Sequence, residues 1–297
     1  MRRLSLKTLR GARAAHSLRL ASIPGVIGTG VGIKRAGGEE AEPAALIVFV
    51  DRKIDMSELP NEALVPKFVN YKGRRVPTDV VELNGIRREF SGPPYFIYDK
   101  ATKGTVTSFA RAQNMALIVT CAHCLLGPDG NPNTVNPVGV WDAASNSYVG
   151  VGETAYSITS PGLGVTGSFG FVDAGLATIE HPGLLARAHA SPPLTFANSI
   201  KHGTSVIGVS PSGTLLGVVD ATEVEVYGYR TDILVRVAGE GTHPGSSGML
   251  WRSATGTAVG MHAYGGQFGP GSGSLYSLAT AAKRVMAQLQ VQLLDPA

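Results

Sequence analysis

The sequence predicts a mainly β protein of short antiparallel strands, preceded by a small α+β unit. Two observations favour this fold class. The 297 residues include 38 glycines and 18 prolines, which are typical of tight turns and not of long helices. From about residue 100 onward, short apolar runs such as 117–119, 205–209 and 233–237 are separated by Gly, Pro, Asn and Ser. This alternation is typical of β-sandwiches and β-barrels.

Residues 1–90 are expected to form the small α+β unit. Leucines among arginines in residues 1–20 suit an amphipathic helix, and residues 25–33 and 44–50 suit two strands. The glycine-rich run 25–33 lacks the Lys-Ser/Thr of a phosphate-binding loop, so no nucleotide cofactor is expected. The segment Ser91-Gly92-Pro93-Pro94 marks a boundary, which makes residues 91–297 the second domain.

Charge is distributed unevenly along the chain. The net charge is +4, and the excess of Lys and Arg lies in residues 1–100. This basic part lacks the interleaved aromatic residues of single-strand nucleic-acid platforms, so nucleic acid is not expected as a partner. Arginines interrupt the apolar region that a signal peptide requires, and no run reaches membrane-spanning length. We therefore expect a soluble cytoplasmic protein without a membrane span.

Three short clusters in the β-rich part contain residues suited to nucleophilic catalysis. His123 lies in a turn after an apolar run, Asp173 stands at the start of another, and Ser247 lies in the loop Gly245-Ser246-Ser247-Gly248. A serine hydroxyl is a poor nucleophile unless a base takes its proton and a third group orients that base. It also needs backbone N–H donors for the developing oxyanion, which flanking glycines help to aim.

The clusters, taken in order, resemble the trypsin/chymotrypsin-like serine protease family. Thr120-Cys121-Ala122-His123-Cys124 resembles that family's T-A-A-H-C motif, and Asp173-Ala174-Gly175-Leu176 resembles its D-x-A-L motif. The Gly245–Gly248 loop resembles its G-D-S-G motif, and residues 259–266 resemble the following strand, which lines the substrate cleft. The resemblance implies a chymotrypsin-like double β-barrel with the site between the barrels. It also implies a C-terminal helix, here at residues 279–293.

The resemblance also implies roles for individual residues. His123 would be the general base, Asp173 its orienting partner and Ser247 the nucleophile, with the oxyanion hole formed by the N–H groups of Gly245 and Ser247. Asp142 remains the alternative carboxylate and Ser246 the alternative serine. No metal and no cofactor are expected. Cys121 and Cys124 are interpreted as two buried thiols, although a bridge between them or metal binding are alternatives.

The primary specificity pocket is expected around Gly241, and its lining predicts the preferred substrate. Cleavage after Lys or Arg needs a buried carboxylate at the base of this pocket. Gly241 supplies none, and Glu240 would do so only if the base of the pocket were shifted by one residue. His262 matches the position at which glutamyl endopeptidases and picornavirus main proteases bind Glu or Gln. A preference for Glu, Gln or Asp follows, with a packed core histidine as the alternative. The remaining residues expected at the substrate are Thr242, His243, Ala263, Tyr264 and Gly265.

Two functions follow from these patterns. The first is a serine endopeptidase that acts on protein or peptide substrates through an acyl-enzyme, and the second is a catalytically silent protease-fold binding or scaffold protein. Ser246 stands where trypsin has the aspartate that pairs with a freshly cut N-terminus, so that activation switch is not expected. Residues 1–90 are an inhibitory or folding-assisting prodomain, a module for a regulatory protein partner, or a permanently packed domain.

Overall fold

The structure is a computed structural model of the chain. It describes residues 4–36, 39–83, 85–88, 104–126, 134–142, 147–158, 172–210, 213–227, 229–268 and 274–295. Among these residues, no helix is long and apolar enough to cross a membrane.

The described residues of the first part of the chain form one α-helix, five strands and a short 3₁₀ turn at Asn61–Ala63. The helix begins after Ser5, whose hydroxyl oxygen accepts the N–H of Thr8 at 3.2 Å. Leu9 and Leu20 of this helix pack with Val31 and Leu46 of the adjoining sheet in a core of their own. The elements are α1 (Leu6–Ala21), β1 (Val26–Ala36), β2 (Glu39–Val50), β3 (Phe68–Tyr71), β4 (Arg74–Glu82) and β5 (Ile86–Arg88). Strand β2 pairs antiparallel with β1 and parallel with β4.

The next sheet along the chain is called the first sheet here, and a short 3₁₀ turn, Ala122–Cys124, follows one of its strands. Its strands are β6 (Ser108–Ala112), β7 (Met115–Thr120), β8 (Pro137–Asp142), β9 (Ser147–Ile158) and β10 (Ala174–Thr178). They pair in the spatial order β6-β7-β10-β9-β8, all antiparallel. The helix α2 (Pro182–Ala190), which the sequence patterns did not predict, leads from this sheet to the second.

The second sheet contains a closed ring of six antiparallel strands. They are β11 (Ser205–Ser210), β12 (Gly213–Val226), β13 (Tyr229–Val237), β14 (Leu250–Ser253), β15 (Ala258–Phe268) and β16 (Ser274–Ala281). The order is β11-β14-β15-β16-β13-β12, and the pairing of β12 with β11 closes it. The prediction of a mainly β fold with a C-terminal helix is confirmed, and the six strands of this ring form a closed barrel.

The C-terminal helix is shorter than the 279–293 that the sequence suggested. Helix α3 (Ala282–Leu289) starts after β16, and Gln290 ends it by adopting a left-handed conformation with φ of +54°. Strand β17 (Gln292–Leu294) then pairs with β6 of the first sheet. Leu293, which was expected at the end of the helix, lies in this strand and is buried there.

The N-terminal unit is continuous with the second sheet. Strand β12 extends beyond the ring and pairs with β1, with Gly28 opposite Val226. The buried Arg13 of α1 reaches the same strand, and its Nη2 donates to Glu225 Oε2 at 3.0 Å. Arg10 forms a second ion pair, with Glu223. Part of the basic excess is therefore matched by carboxylates of β12, which ties residues 6–36 to the ring.

We predict that Gly28→Ala weakens this attachment. A Cβ at this position overlaps the Glu225 carbonyl oxygen, which is backbone and has no flexible end to move aside. The free energy of unfolding, measured by denaturant titration, is expected to fall by about 1–3 kcal/mol. The matched control is Gly150→Ala on β9, where an added Cβ meets only open space. Equal stability of both variants would contradict the tight approach of β1 to β12.

Candidate active site

The pairing of β7 with β10 places His123 beside Asp173. Thr120, at the end of β7, lies opposite Gly175, so the turn after β7 meets the residues that precede β10. The backbone N–H of His123 donates to Asp173 Oδ1 at 3.0 Å, and its ring Nδ1 lies 2.5 Å from Oδ2. Both side chains are buried. This geometry holds the ring with the proton on Nδ1, which makes Nε2 the basic nitrogen of the neutral imidazole.

The electrostatics of this pair set the basicity of the imidazole. Burial by itself disfavours the charged imidazolium, but the neighbouring Asp173 carboxylate outweighs burial and raises the pKa of His123 above its ordinary value. The thiolate form of the adjacent Cys124 raises the pKa of His123 in the same direction. A base with a raised pKa is fully deprotonated only at higher pH, so any reaction that depends on it should lose rate as the pH falls.

The glycine-flanked loop presents Ser247 toward β15. Gly245 and Gly248 adopt φ values of +99° and +94°, which favour glycine. The Ser247 side chain is completely buried, and its hydroxyl donates to the Ala263 carbonyl at 3.2 Å. For catalysis the hydroxyl must exchange this bond for one to Nε2 of His123.

The alternative serine has a structural role in the same loop. Ser246 Oγ accepts the backbone N–H of His243 at 3.2 Å, and its own N–H donates to the His243 carbonyl at 2.9 Å. The side chain of Ser246 therefore closes the loop on itself. Asp142, the alternative carboxylate, ends β8, whereas Asp173 is the residue that contacts His123.

The three predicted catalytic residues gather around one segment of β15. The Tyr264 ring lies 6.0 Å from the His123 ring, centroid to centroid. Asp173 lines a small cavity together with Ala263 and Tyr264. Because Ala263 also accepts the Ser247 hydroxyl, the serine, histidine and aspartate all border these two residues. The structure thus brings together groups from three distant parts of the chain.

Two backbone donors in the loop are available for an oxyanion. Within the described part of the chain, the N–H groups of Gly245 and Ser247 donate to no acceptor, although both residues are buried. The neighbouring N–H groups of Ser246 and Gly248 are both hydrogen-bonded, to the carbonyls of His243 and His262. Buried backbone N–H groups that donate no hydrogen bond are rare. Such a pair can bind an anion, as the donors of an oxyanion hole do.

Thr105 holds the peptide planes next to these donors. Its hydroxyl donates to the Gly245 carbonyl at 2.8 Å, and its N–H donates to the Ser247 carbonyl at 2.6 Å. Thr107 adds a bond from its hydroxyl to the Gly248 carbonyl at 2.6 Å. Neither threonine was predicted from the sequence. A single threonine far in sequence from the Ser247 loop gives no local signal that it bonds the carbonyls of that loop.

Glu240 supplies no buried carboxylate to the expected specificity pocket. The Glu240 side chain is 93% exposed, and its Oε2 lies 3.8 Å from His243 Nε2. The alternative based on a one-residue shift is therefore not supported. Gly241 has φ of +82°, and it and Thr242 are buried.

His262 lies buried at the end of a short hydrogen-bond chain. Trp251 Nε1 donates to Ser277 Oγ at 2.8 Å, and that oxygen lies 2.7 Å from His262 Nδ1. Ser277 therefore links the rings of Trp251 and His262, and the direction of its bond with His262 follows the tautomer of that ring. Neither Trp251 nor Ser277 was singled out by the sequence.

Cys121 and Cys124 are buried and form no disulfide with each other, as the sequence predicted. Cys121 Sγ donates to the His262 carbonyl at 3.2 Å. The ligand-type atoms of Cys121, His123 and Asp173 lie within 4.8 Å of one another, as three ligands of a metal would. His123 and Asp173 are already bonded to each other, so this group coincides with the site described above.

We predict that Asp173→Asn lowers the pKa of His123. The substitution removes the carboxylate that stabilises the imidazolium and leaves the burial that destabilises it. We expect a fall of about one to three pH units, measured by NMR titration of the His123 imidazole. The control is Glu240→Gln, which removes an exposed carboxylate and should leave this titration unchanged. An unaltered His123 titration in Asp173→Asn would contradict the assigned pairing.

No protein-family model matches the chain, and no curated protein matches it significantly. Similar solved structures include a glutamic-acid-specific serine protease that uses a histidine triad in substrate binding. It has 16% identity and a TM-score of 0.44, over 67% of this chain and 97% of that one. The Cellulomonas bogoriensis chymotrypsin has 15% identity and a TM-score of 0.43, over 68% of this chain and 96% of that one. The HtrA-type protease AlgW has 14% identity and a TM-score of 0.41, over 95% of this chain and 66% of that one. These similar solved structures are all trypsin/chymotrypsin-like serine proteases, the family that the motifs of this chain resemble.

Proposed function

We propose that the protein is a serine endopeptidase that hydrolyses peptide bonds through an acyl-enzyme. One observation carries the proposal: a buried histidine–aspartate pair borders the same residues of β15 as the hydroxyl of Ser247. Two unengaged N–H donors lie in the Ser247 loop. A nucleophile, an oriented base and an oxyanion site are the groups that acyl transfer from a peptide requires.

The mechanism assigns one step to each group. Nε2 of His123 takes the proton of Ser247 as Oγ attacks the substrate carbonyl carbon, and the N–H groups of Gly245 and Ser247 bind the resulting oxyanion. The imidazolium, stabilised by Asp173, then protonates the leaving amine as the C–N bond breaks. In the second half, His123 activates a water that hydrolyses the ester and restores the Ser247 hydroxyl.

The proposal includes a preference for Glu, Gln or Asp on the acyl side of the cleaved bond. His262 lies next to the Ser247 loop, where its N–H bonds the Met249 carbonyl and its carbonyl accepts the N–H of Gly248, and an imidazole N–H suits a carboxylate or side-chain carbonyl oxygen. A basic side chain would need a buried negative charge, and Glu240 lies at the surface.

A second candidate is a silent protease-fold binding protein. The observation that favours it is the complete burial of Ser247, whose hydroxyl is engaged by Ala263. A permanently closed site of this kind would hold the catalytic groups in place without access for a substrate.

Covalent labelling separates the two candidates. We expect a fluorophosphonate probe to label the full-length chain on Ser247, because the reaction needs the same activated hydroxyl as catalysis. Ser247→Ala should abolish labelling, whereas Ser246→Ala, in the same loop, should retain it. Labelling that is absent from the wild type, or that persists in Ser247→Ala, would refute the endopeptidase assignment.

A peptide-library cleavage profile tests the substrate preference. Bonds after Glu, Gln or Asp should dominate, and His262→Leu should reduce kcat/KM for these peptides by about 10- to 100-fold, the value of a hydrogen bond to a charged group. Retained fluorophosphonate labelling shows that the variant is folded. A profile dominated by bonds after Lys, Arg or bulky apolar residues would overturn the preference.

A further inference from the structure

A long irregular loop, residues 51–67, connects β2 to β3 in the N-terminal unit. All of its residues are described, and apart from the short 3₁₀ turn at Asn61–Ala63 they form no helix or strand. Loops of this length without regular structure are uncommon in compact domains, and those that occur are often binding loops or lids. The loop therefore calls for a functional explanation.

The loop lies on the face of the N-terminal sheet that also carries α1. Val48 of β2 packs in the same core as Leu9 of α1, and Val80 of β4 lies opposite Val48. Side chains that lie opposite each other on neighbouring strands share a face of the sheet. The hydroxyl of Thr78 on β4 donates to the Pro66 carbonyl, which ties the end of the loop to this strand.

A cavity of about 360 Å³ lies between this loop and the sheet. Val50 and Val80 line it from the strands, and Leu59, Leu64 and Val65 line it from the loop. Cavities with volumes of this order and a mainly apolar lining are typical of small-molecule sites.

Two further apolar side chains of the loop line the cavity and are exposed to solvent. Ile54 is 45% exposed and Met56 is 63% exposed. Apolar surface gains free energy when it leaves water, so both side chains would contact an apolar ligand favourably. Single exposed apolar residues are common, but here two of them adjoin one cavity.

Four cationic side chains line the same cavity, those of Lys34, Arg52, Lys53 and Lys67, and Lys34 is half-buried. Asp79 is the carboxylate among the described lining residues. Within the part of the chain that the structure describes, none of the four cations forms an ion pair. Two arginines of α1, by contrast, pair with carboxylates of β12. The charge of the lining thus favours an anionic ligand.

Two carboxylates of β4 in this region bond backbone N–H groups. Glu82 Oε2 accepts the backbone N–H of Lys53 at 2.9 Å, and Asp79 Oδ1 accepts that of Val80 at 3.1 Å. The ammonium group of Lys53 is not the donor in the first bond. It therefore stays available to a ligand in the cavity.

The strands that line the cavity are paired along both edges. Strand β2 lies between β1 and β4, and β4 lies between β2 and β3. A peptide that binds as an added strand needs an unpaired edge. An aliphatic chain has no polar groups that require hydrogen-bond partners in an apolar cavity. The site is therefore better suited to a single aliphatic chain than to an extended peptide.

We propose that this cavity binds a free anionic amphiphile, an aliphatic carboxylate. Its chain lies against Ile54, Met56 and the other apolar residues of the loop, and its head group contacts the cations of the lining. This site is separate from the candidate active site. Phe49, which alternates with Val50 along β2, packs on the opposite face of the sheet in the core that contains Met261 of β15. The proposal goes beyond the proposed function and does not depend on it.

Calorimetric titration of the full-length protein with decanoate, below the concentration at which it forms micelles, tests the site. We expect decanoate to bind at a single site and to raise the Tm, because a ligand that binds the folded state stabilises it. Decyltrimethylammonium, which has the same chain and the opposite charge, should bind at least about 10-fold more weakly.

A charge variant tests the role of the lining cations. It combines Lys34→Gln, Arg52→Gln, Lys53→Gln and Lys67→Gln. Decanoate affinity should fall by at least about 10-fold, the combined effect of several partly exposed charge contacts. A matched control lowers the net charge equally at four exposed positions outside the cavity and should bind decanoate as the wild type does: Lys7→Gln, Arg19→Gln, Lys201→Gln and Lys283→Gln.

A methionine pair tests the apolar part of the site. Met56→Glu places a carboxylate in the lining and should weaken decanoate binding by about 10-fold or more. The control is Met115→Glu on β7, because Met115 is similarly exposed and does not line the cavity. Both substitutions are at exposed side chains, and an unchanged Tm without ligand shows that each variant is folded.

Each of several results would overturn the proposal. These are no binding of decanoate below micelle formation, equal binding of decanoate and decyltrimethylammonium, and unchanged decanoate affinity in the charge variant or in Met56→Glu. Equal losses in the variants and their controls would also overturn it, because binding would then follow the net charge of the protein. None of these results bears on the labelling of Ser247, so the endopeptidase assignment is tested separately.

Discussion

The site depends on one backbone edge, that of β15 from Met261 to Gly266. Buried peptide groups need partners, and along this edge the partners are supplied in turn by β14, the Ser247 loop and β5. The bonds of His262 to Met249 and Gly248 fix the loop that presents Ser247. The same edge therefore positions the loop that carries Ser247 and pairs with the extended strand β5 next to it.

The second requirement is the junction between the first sheet and the closed ring of the second. His123 and Asp173 come from the first sheet, while Ser247 and His262 come from the second ring. Thr105, which lies just before β6, bridges the sheets by bonding the carbonyls of Gly245 and Ser247. A catalytic geometry built across two sheets is sensitive to small shifts between them. The three threonine bonds, from Thr105 and Thr107 to the loop, limit such shifts.

Sequence reasoning succeeded where the signal was local. The motif around His123 and the start of β10 identified the pair that the structure joins, because each lies within a few residues of a recognisable strand. It could not identify Thr105, because the bond from its hydroxyl to Gly245 spans 140 residues. The end of α3 was not predicted, because the spacing of Leu293 from the preceding apolar residues fits a helix as well as a strand. The left-handed conformation of Gln290 ends the helix and makes the following strand possible. The pairing of β5 with β15 could not be predicted either, because it depends on tertiary folding alone.

The basic excess of residues 1–100 acquires a partial explanation from the fold. Arg13 and Arg10 are matched by carboxylates of β12, so these charges attach the N-terminal helix to the ring. These contacts fit the alternative of a permanently packed domain, and an inhibitory role of residues 1–90 stays a prediction. Helix α1 and β1 pack on the ring, and β5 occupies the edge beside Ser247.

The central claim is that Ser247 forms a covalent acyl intermediate with help from His123 and Asp173. Pre-steady-state hydrolysis of a nitrophenyl ester measures that intermediate directly. The account predicts a burst of nitrophenolate of about one equivalent per accessible site, followed by slower turnover, and no burst in Ser247→Ala. Linear release without a burst, at a rate equal to that of Ser247→Ala, would contradict it.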